Sequence, residues 1–277
     1  MLPLAAAAIF CAALVAAPSA NLLNADPPER DDTVVPSHVR LAAYEHLLHN
    51  TPNVANDPSV AERRSDWDAN HYQLTLVPDF EEGLLTGYVE ITFTARRFGL
   101  ANIQLDLHDN LTVFRVFDSV GNLGFDHHDD VLDIRLSSAM SPGEKQTVSV
   151  HYEGRPQPAG ALGFSFDTTP AGNPILATVS EPFYARSWWP CKDTVLDKAT
   201  VDVLAIVPEG MFAAAAGALV SESDSYGSRL FRWWSSYPMT TYNVSVAITD
   251  YASWSEEYVS PEGIEFPLDF YVFPEHE

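Results

Sequence analysis

The stretch "HYQLTLVPDFEEGLLTGYVEITFTA", His71 to Ala95, decides the fold class. In its first half Tyr72, Leu74 and Leu76 alternate with His71, Gln73 and Thr75. In its second half Val89, Ile91 and Phe93 alternate with Tyr88, Glu90 and Thr92. Successive side chains of an extended chain point to opposite faces, so period two puts one face on a core and the other in water. The same texture returns in "NIQLDL", "LTVFRVF", "VLDIRL", "TVSVHY", "PILATV", "TVDVLAIVP", "LFRWWS", "TYNVSVAI" and "FPLDFYVF". Gly, Pro, Asn and Asp clusters separate these runs, and no segment after residue 65 carries a helical period. Many short strands between turn residues predict an all-β domain, a sandwich or barrel-like sheet.

The chain has 277 residues, enough for one large domain or two small ones. Its 46% hydrophobic and 12% aromatic content can fill a core. Fifteen basic residues stand against 38 acidic ones, a formal net charge of −23. Phosphate binding needs clustered Lys and Arg, so no nucleic-acid partner is expected. The lysines are Lys145, Lys192 and Lys198 alone. The acidic excess serves solubility, and it also favours a cationic ligand such as a free amine.

The first twenty residues, "MLPLAAAAIFCAALVAAPSA", carry no charged side chain. This alanine-rich run, closing on small residues, reads as a secretory signal peptide over 1–20, hence a secreted or extracellular protein. It lacks the usual basic residue near its start, and an uncleaved membrane anchor is the alternative. Residues 21–65 are polar and hold Pro27, Pro28, Pro36, Pro52 and Pro58. They read as a linker or pro-segment, partly disordered, with a short helix over Ser37–His49. Residues 66–277 read as the β domain. Cys11 leaves with the leader, so Cys191 has no partner for an internal disulfide. Two glycosylation sequons occur, Asn110-Leu111-Thr112 and Asn243-Val244-Ser245, the second inside a strand-like run.

Several clusters hold ligand-type side chains without a metal-binding pattern. His46 and His49 sit three apart, but Glu45 precedes the first histidine, the wrong order for H-E-x-x-H. "FDHHDD", Phe125 to Asp130, reads as a solvated turn. No G-x-S-x-G elbow is present. Cys191, beside Trp188 and Trp189, reads as an inert core thiol.

One segment remains, "ATVSEPFYARSWWPCKDTVLDKATVDV", Ala177 to Val203. It resembles the T-Q-x-E-x-x-x-A-R-x-x-x-P-C-x-D-x-P-x-x-K-A segment of the M1 family of zinc aminopeptidases. Thr178, Glu181, Ala185, Arg186, Pro190, Cys191, Asp193, Lys198 and Ala199 fall on that pattern. Val179 stands where the family has a glutamine of the usual first side-chain pocket, and Val195 where it has a second proline. The chain from about Asp66 onward looks like the family's N-terminal β domain, a saddle-like antiparallel β-sandwich.

The resemblance implies that Glu181 reaches into the active-site cleft and binds the free α-amine of a peptide. A carboxylate holding an ammonium in a poorly hydrated cleft makes a charge-assisted contact that selects free N-termini. Phe183, Tyr184, Trp188 and Trp189 would wall this site, while Lys192, Asp193, Asp197 and Lys198 pin the loop. Arg186, Pro190, Cys191, Asp193 and Lys198 are structural motif positions. The residues themselves leave a second reading open, with Glu181 paired internally to Arg186.

The family's zinc chemistry belongs to a separate catalytic domain with G-x-M-E-N and H-E-x-x-H motifs. Neither motif occurs in this sequence. No catalytic residue, metal ligand or cofactor is therefore expected within it, and zinc is expected only in that other domain. The expected partners are a catalytic M1 domain in cis and peptide N-termini, with no membrane contact beyond the leader. Two alternatives are a catalytically inert β-domain binding module of the same descent and an adhesion-like sandwich.

Overall fold

The computed structural model describes residues 65–276 apart from Ala161. The leader, the segment 21–64, the helix expected over Ser37–His49 and the His46/His49 pair lie outside the described residues.

The two alternating runs become paired strands, β1 (Trp67–Asp79) and β2 (Leu84–Ala95). On β1, Tyr72, Leu74 and Leu76 are buried, and so are Trp67 and Ala69, which have the opposite parity. A register shift between Ala69 and His71 reconciles the two sets. One extra residue on a strand flips every later side chain to the other face. The turn between the strands is closed by Asp79, whose Oδ1 accepts the Glu81 and Glu82 amides, both at 3.0 Å.

The remaining strands are β3 (Leu100–Asp106), β4 (Leu111–Phe117), β5 (Phe125–His128), β6 (Val131–Met140), β7 (Lys145–Gly154), β8 (Gly163–Thr168) and β9 (Pro174–Val179). There follow β10 (Ala199–Pro208), β11 (Phe212–Ala215), β12 (Ala218–Ser225), β13 (Ser228–Met239), β14 (Val246–Thr249), β15 (Ala252–Val259) and β16 (Glu265–Val272). Seven form one sheet in the order β12-β13-β10-β1-β2-β7-β4. A four-stranded sheet runs β11-β14-β9-β8, a three-stranded one β3-β6-β5, and β15 pairs with β16 alone. The described residues hold strands and short 3-10 turns but no α-helix, so the all-β reading holds. No helix among them is long and apolar enough to cross a membrane. One departure from the antiparallel expectation is the parallel pairing of β1 with β10, Tyr72 opposite Val201.

The core joins these sheets through large side chains. Trp67, Tyr72, Phe93, Tyr152, Phe164, Trp188, Trp189 and Phe231 are all fully buried. Tyr72 meets Trp189 edge-on at 5.0 Å between ring centroids, a favoured geometry for aromatic pairs. Tyr152 covers Gly87, its cross-strand partner. A Cβ at Gly87 would stand 2.1 Å from the Tyr152 ring carbon that bears the hydroxyl.

Two local expectations change. Phe125–His128 is a strand paired with β6, and the turn is confined to Asp129 and Asp130, both at positive φ. Asn243 lies not in a strand but in a 3-10 turn, Thr241–Asn243, and is exposed.

The hairpin β15–β16 has two unlike faces. Its register sets Trp254 opposite Phe270, Glu256 opposite Leu268 and Tyr258 opposite Phe266. Trp254 stacks on Phe270 and Tyr258 tilts on Phe266, each at 5.0 Å. On the other face Tyr271 stacks on Phe212 at 4.6 Å and so ties the hairpin to the core. The aromatic ladder keeps Trp254 40%, Tyr258 44% and Leu268 38% exposed.

Candidate functional site

The site begins where β9 ends. Thr178 locks that end to β14: its hydroxyl accepts the Val246 amide at 2.8 Å and donates to the Val246 carbonyl at 3.2 Å. Ser180 then turns the chain. Its carbonyl accepts the Tyr184 amide at 2.8 Å, and its hydroxyl accepts the Trp188 indole N–H at 3.0 Å. Glu181 sits at the outside of this turn and is exposed, and the Glu181–Pro182 peptide bond is cis. Phe183 and Tyr184 beside it are half-buried, and a 3-10 turn, Ala185–Ser187, drives the chain into the core.

Below Glu181 lies a buried ionic cluster. Arg186 Nε donates to Asp193 Oδ2 at 2.9 Å, and Arg186 Nη1 reaches Asp106 Oδ1 at 3.1 Å. Both carboxylates are inaccessible to solvent. Their remaining acceptor sites are filled: Asp193 Oδ1 takes the Thr241 hydroxyl at 3.0 Å, and Asp106 Oδ2 takes the Asp193 amide at 2.9 Å. A buried charge is tolerable only when paired and hydrogen-bonded in this way. Burial pushes the Asp193 carboxyl up; the Arg186 charge opposes this, and the Asp106 charge adds to it. Burial works against the Arg186 charge, but Asp106 and Asp193 outweigh it and raise its pKa.

A second buried pair holds the far side of the loop. Lys192 Nζ donates to Asp197 Oδ2 and, at 2.7 Å, to the Trp67 carbonyl, and it lies 4.6 Å over the Trp67 ring. The Lys192 amide donates to the Tyr72 hydroxyl at 3.2 Å. Burial lowers the Lys192 pKa against the pull of Asp197. Lysine and arginine thus split the work, one clamp on each side of Cys191, which is itself buried.

This arrangement separates the two roles considered for Glu181. Arg186 is spent on Asp106 and Asp193, not on Glu181. Among the described residues the Glu181 carboxylate makes no hydrogen bond or ion pair. Lys192, Asp193 and Asp197 do pin the loop, whereas Lys198 is exposed and makes no ion pair among the described residues. Trp188 and Trp189 are core side chains rather than a wall, which leaves Phe183 and Tyr184 beside Glu181. Pro190 is buried with them. Asp106 and Thr241, both essential to the cluster, were not singled out by the sequence. The one signal for Asp106 is a carboxylate within the alternating run "NIQLDL", at the last residue of β3. No group of three or more His, Cys, Asp or Glu that could hold a metal occurs among the described residues.

The model of the peptidase M1 N-terminal domain matches residues 68–243. The chain belongs to this family. The M1 N-terminal domain seen here is 26% identical over 226 residues to a glutamyl aminopeptidase of the viper Bitis rhinoceros, covering 74% of this chain and 22% of that protein. It superposes with a TM-score of 0.65, at 25% identity, on a mutant M1 zinc metallopeptidase from Deinococcus radiodurans bound to a Tyr-Ser-Ala substrate. That match covers 73% of this chain and 46% of the bacterial one. A yeast LTA4 hydrolase shares the fold at a TM-score of 0.60 and 20% identity, covering 71% of this chain and 30% of its own. The chain thus spans under half the length of each of these proteins.

Proposed function

We propose that this M1 N-terminal domain belongs to a secreted zinc aminopeptidase, in which Glu181 binds the free α-amine of the peptide and the domain braces the catalytic domain. The observation that carries the reading is the contrast between carboxylates. Asp106, Asp193 and Asp197 are consumed by internal pairs, while Glu181 is exposed and unspent among the described residues, on a loop that two buried clamps immobilise. A held, solvent-facing carboxylate loses little freedom when it engages an ammonium. The bacterial relative, a metallopeptidase bound to a tripeptide, supports the substrate class. The hairpin ladder, in which Trp254, Tyr258 and Leu268 are exposed beside half-buried Phe266 and Phe270, supports the bracing role, because an exposed apolar patch marks an interaction surface.

The test is Glu181→Gln in the full-length protein. Losing a charged contact to the amine is expected to lower kcat/KM for free-amine peptides by roughly 100-fold. Unchanged kinetics assign Glu181 a structural role. Sequencing the transcript beyond Glu277 tests the bracing role: an in-frame H-E-x-x-H supports it, and a stop codon turns the reading to a binding module.

A further inference from the structure

We infer that Asp106, a residue outside the motif segment, is the positioning residue that presents Glu181. This rests on the reading of Glu181 given above. The segment Asp106–His108 begins at the last residue of β3 and comes from a different sheet, about 80 residues earlier in the chain than the loop it supports. It touches that loop along its length. The Asp106 amide donates to the Cys191 carbonyl at 2.7 Å, and the Cys191 amide donates back at 3.2 Å. The His108 amide donates to the Arg186 carbonyl at 3.0 Å. The Asp106 carboxylate spans the gap between those backbone contacts, with Oδ1 on Arg186 Nη1 and Oδ2 on the Asp193 amide. A single side chain therefore ties both the start and the end of the 186–193 segment to one rigid strand end.

The two oxygens cannot be replaced by an amide. Each of these two carboxylate contacts of Asp106 is with a donor, a guanidinium N–H and a backbone N–H. An asparagine offers one oxygen and one NH₂, so in either orientation one donor faces another donor. Glu181 lies only five residues before Arg186, joined to it by the Ser180–Tyr184 turn and the following 3-10 turn. Slack at Arg186 is transmitted directly to the carboxylate that meets the substrate. Positional errors of about 1 Å are enough to cost a site much of its effect.

The experiment compares wild type, Asp106→Asn and Asp106→Glu, in two measurements. Hydrogen exchange on the 277-residue chain reads residues 180–190 against β1, β2 and β7. Asp106→Asn is expected to speed exchange in 180–190 at least tenfold while the strands stay protected, and Asp106→Glu, which keeps two acceptors, to recover part of that loss. In the full-length protein, with leucine 4-nitroanilide as substrate, Asp106→Asn is expected to raise KM about tenfold with a smaller change in kcat. Unchanged exchange in 180–190, or an equal loss across all strands, overturns the proposal. Faster exchange with unchanged KM confines Asp106 to loop stability and sinks the positioning role. If Glu181→Gln also leaves KM unchanged, the reading of Glu181 is the one that fails. Should Asp106→Asn not fold, Thr241→Val removes only the hydroxyl on Asp193, and exchange in 180–190 that does not rise in that variant overturns the proposal.

Discussion

Arg186→Met removes the one cation between two inaccessible carboxylates and leaves the local volume nearly intact. Asp193 keeps the Thr241 hydroxyl, and Asp106 keeps the Asp193 amide, but neither keeps a counter-charge from this cluster. Breaking a buried pair by deleting one partner costs about 3–5 kcal/mol. For a domain of this size each kcal/mol moves the midpoint by about 2–4 °C, so the fall in Tm is about 6–20 °C. The loss has a characteristic pH dependence. In the folded wild type the Asp193 carboxyl is already pushed above its ordinary value of 3.8 by burial, with Arg186 opposing. Without Arg186 it rises further. The folded variant then binds more protons than the unfolded chain over the window from that value upward, and its stability falls as pH rises through the window. The deficit is therefore largest near neutrality and shrinks as pH falls toward 4. Circular dichroism melts of wild type and variant at pH 5, 6, 7 and 8 read both quantities. Arg96→Ala is the control, since its pairing with Asp68 is at the surface and worth under about 1 kcal/mol. A fall in Tm below 2 °C, or a deficit that is the same at every pH, refutes the reasoning.

Tyr152→Phe is expected to be neutral or to stabilise by about 1 kcal/mol, because the buried hydroxyl has no hydrogen-bond partner among the described residues; urea unfolding reads it. Gly87→Ala, by contrast, drives a methyl into that same ring and should cost about 1–3 kcal/mol or more. Tyr152→Leu in the same chain is expected to relieve part of that cost, a coupling read by a double-mutant cycle. Asp118 tests the acid side. Burial works against its charge, but hydrogen bonds from Ser137, the Gly121 and Val120 amides and Gln146 prevail and hold its carboxyl below the usual value. Its stabilisation is present above the unfolded value and is lost as pH falls through the folded one, so Asp118→Asn should flatten the acid limb of the Tm–pH curve. The chain itself is expected to hold no stoichiometric zinc; atomic absorption after dialysis that finds one chelator-sensitive zinc per chain contradicts this.

Much of the fold was legible because half-buried strands write their geometry into every second residue. The β1 and β2 runs show this directly, their buried positions matching the apolar set. Strands lacking that signature were not legible. β12, "ALVSESDS", is exposed along its whole length and carries no apolar face to announce it. β11, "FAAA", and β8, "GFSFDT", are too short or too mixed for period two. The parallel pairing of β1 with β10 was hidden because alternation fixes which face is buried, not which neighbour is hydrogen-bonded. At the site, the motif letters located Glu181, Arg186 and Asp193. Whether Arg186 faced Glu181 or another carboxylate depended on Asp106, which only the folded chain brings near. Local spacing cannot report a partner from another sheet.

The central place of β1 has a consequence for how the chain is made. β1 is the first strand of the domain, and β2 can cover one of its edges as soon as the hairpin is synthesised. Its other edge waits for β10, some 130 residues later. β10 begins at Ala199, directly after the segment held by the two clamps. Seating that segment and covering the second edge of β1 therefore fall at the same moment of synthesis, while the outer edge of β10 waits for β13. Until the ribosome has passed Pro208, the nascent domain carries an open strand edge in its middle, the kind of edge that recruits other chains. The loop that carries Glu181 is thus also the latch whose arrival covers the second edge of β1.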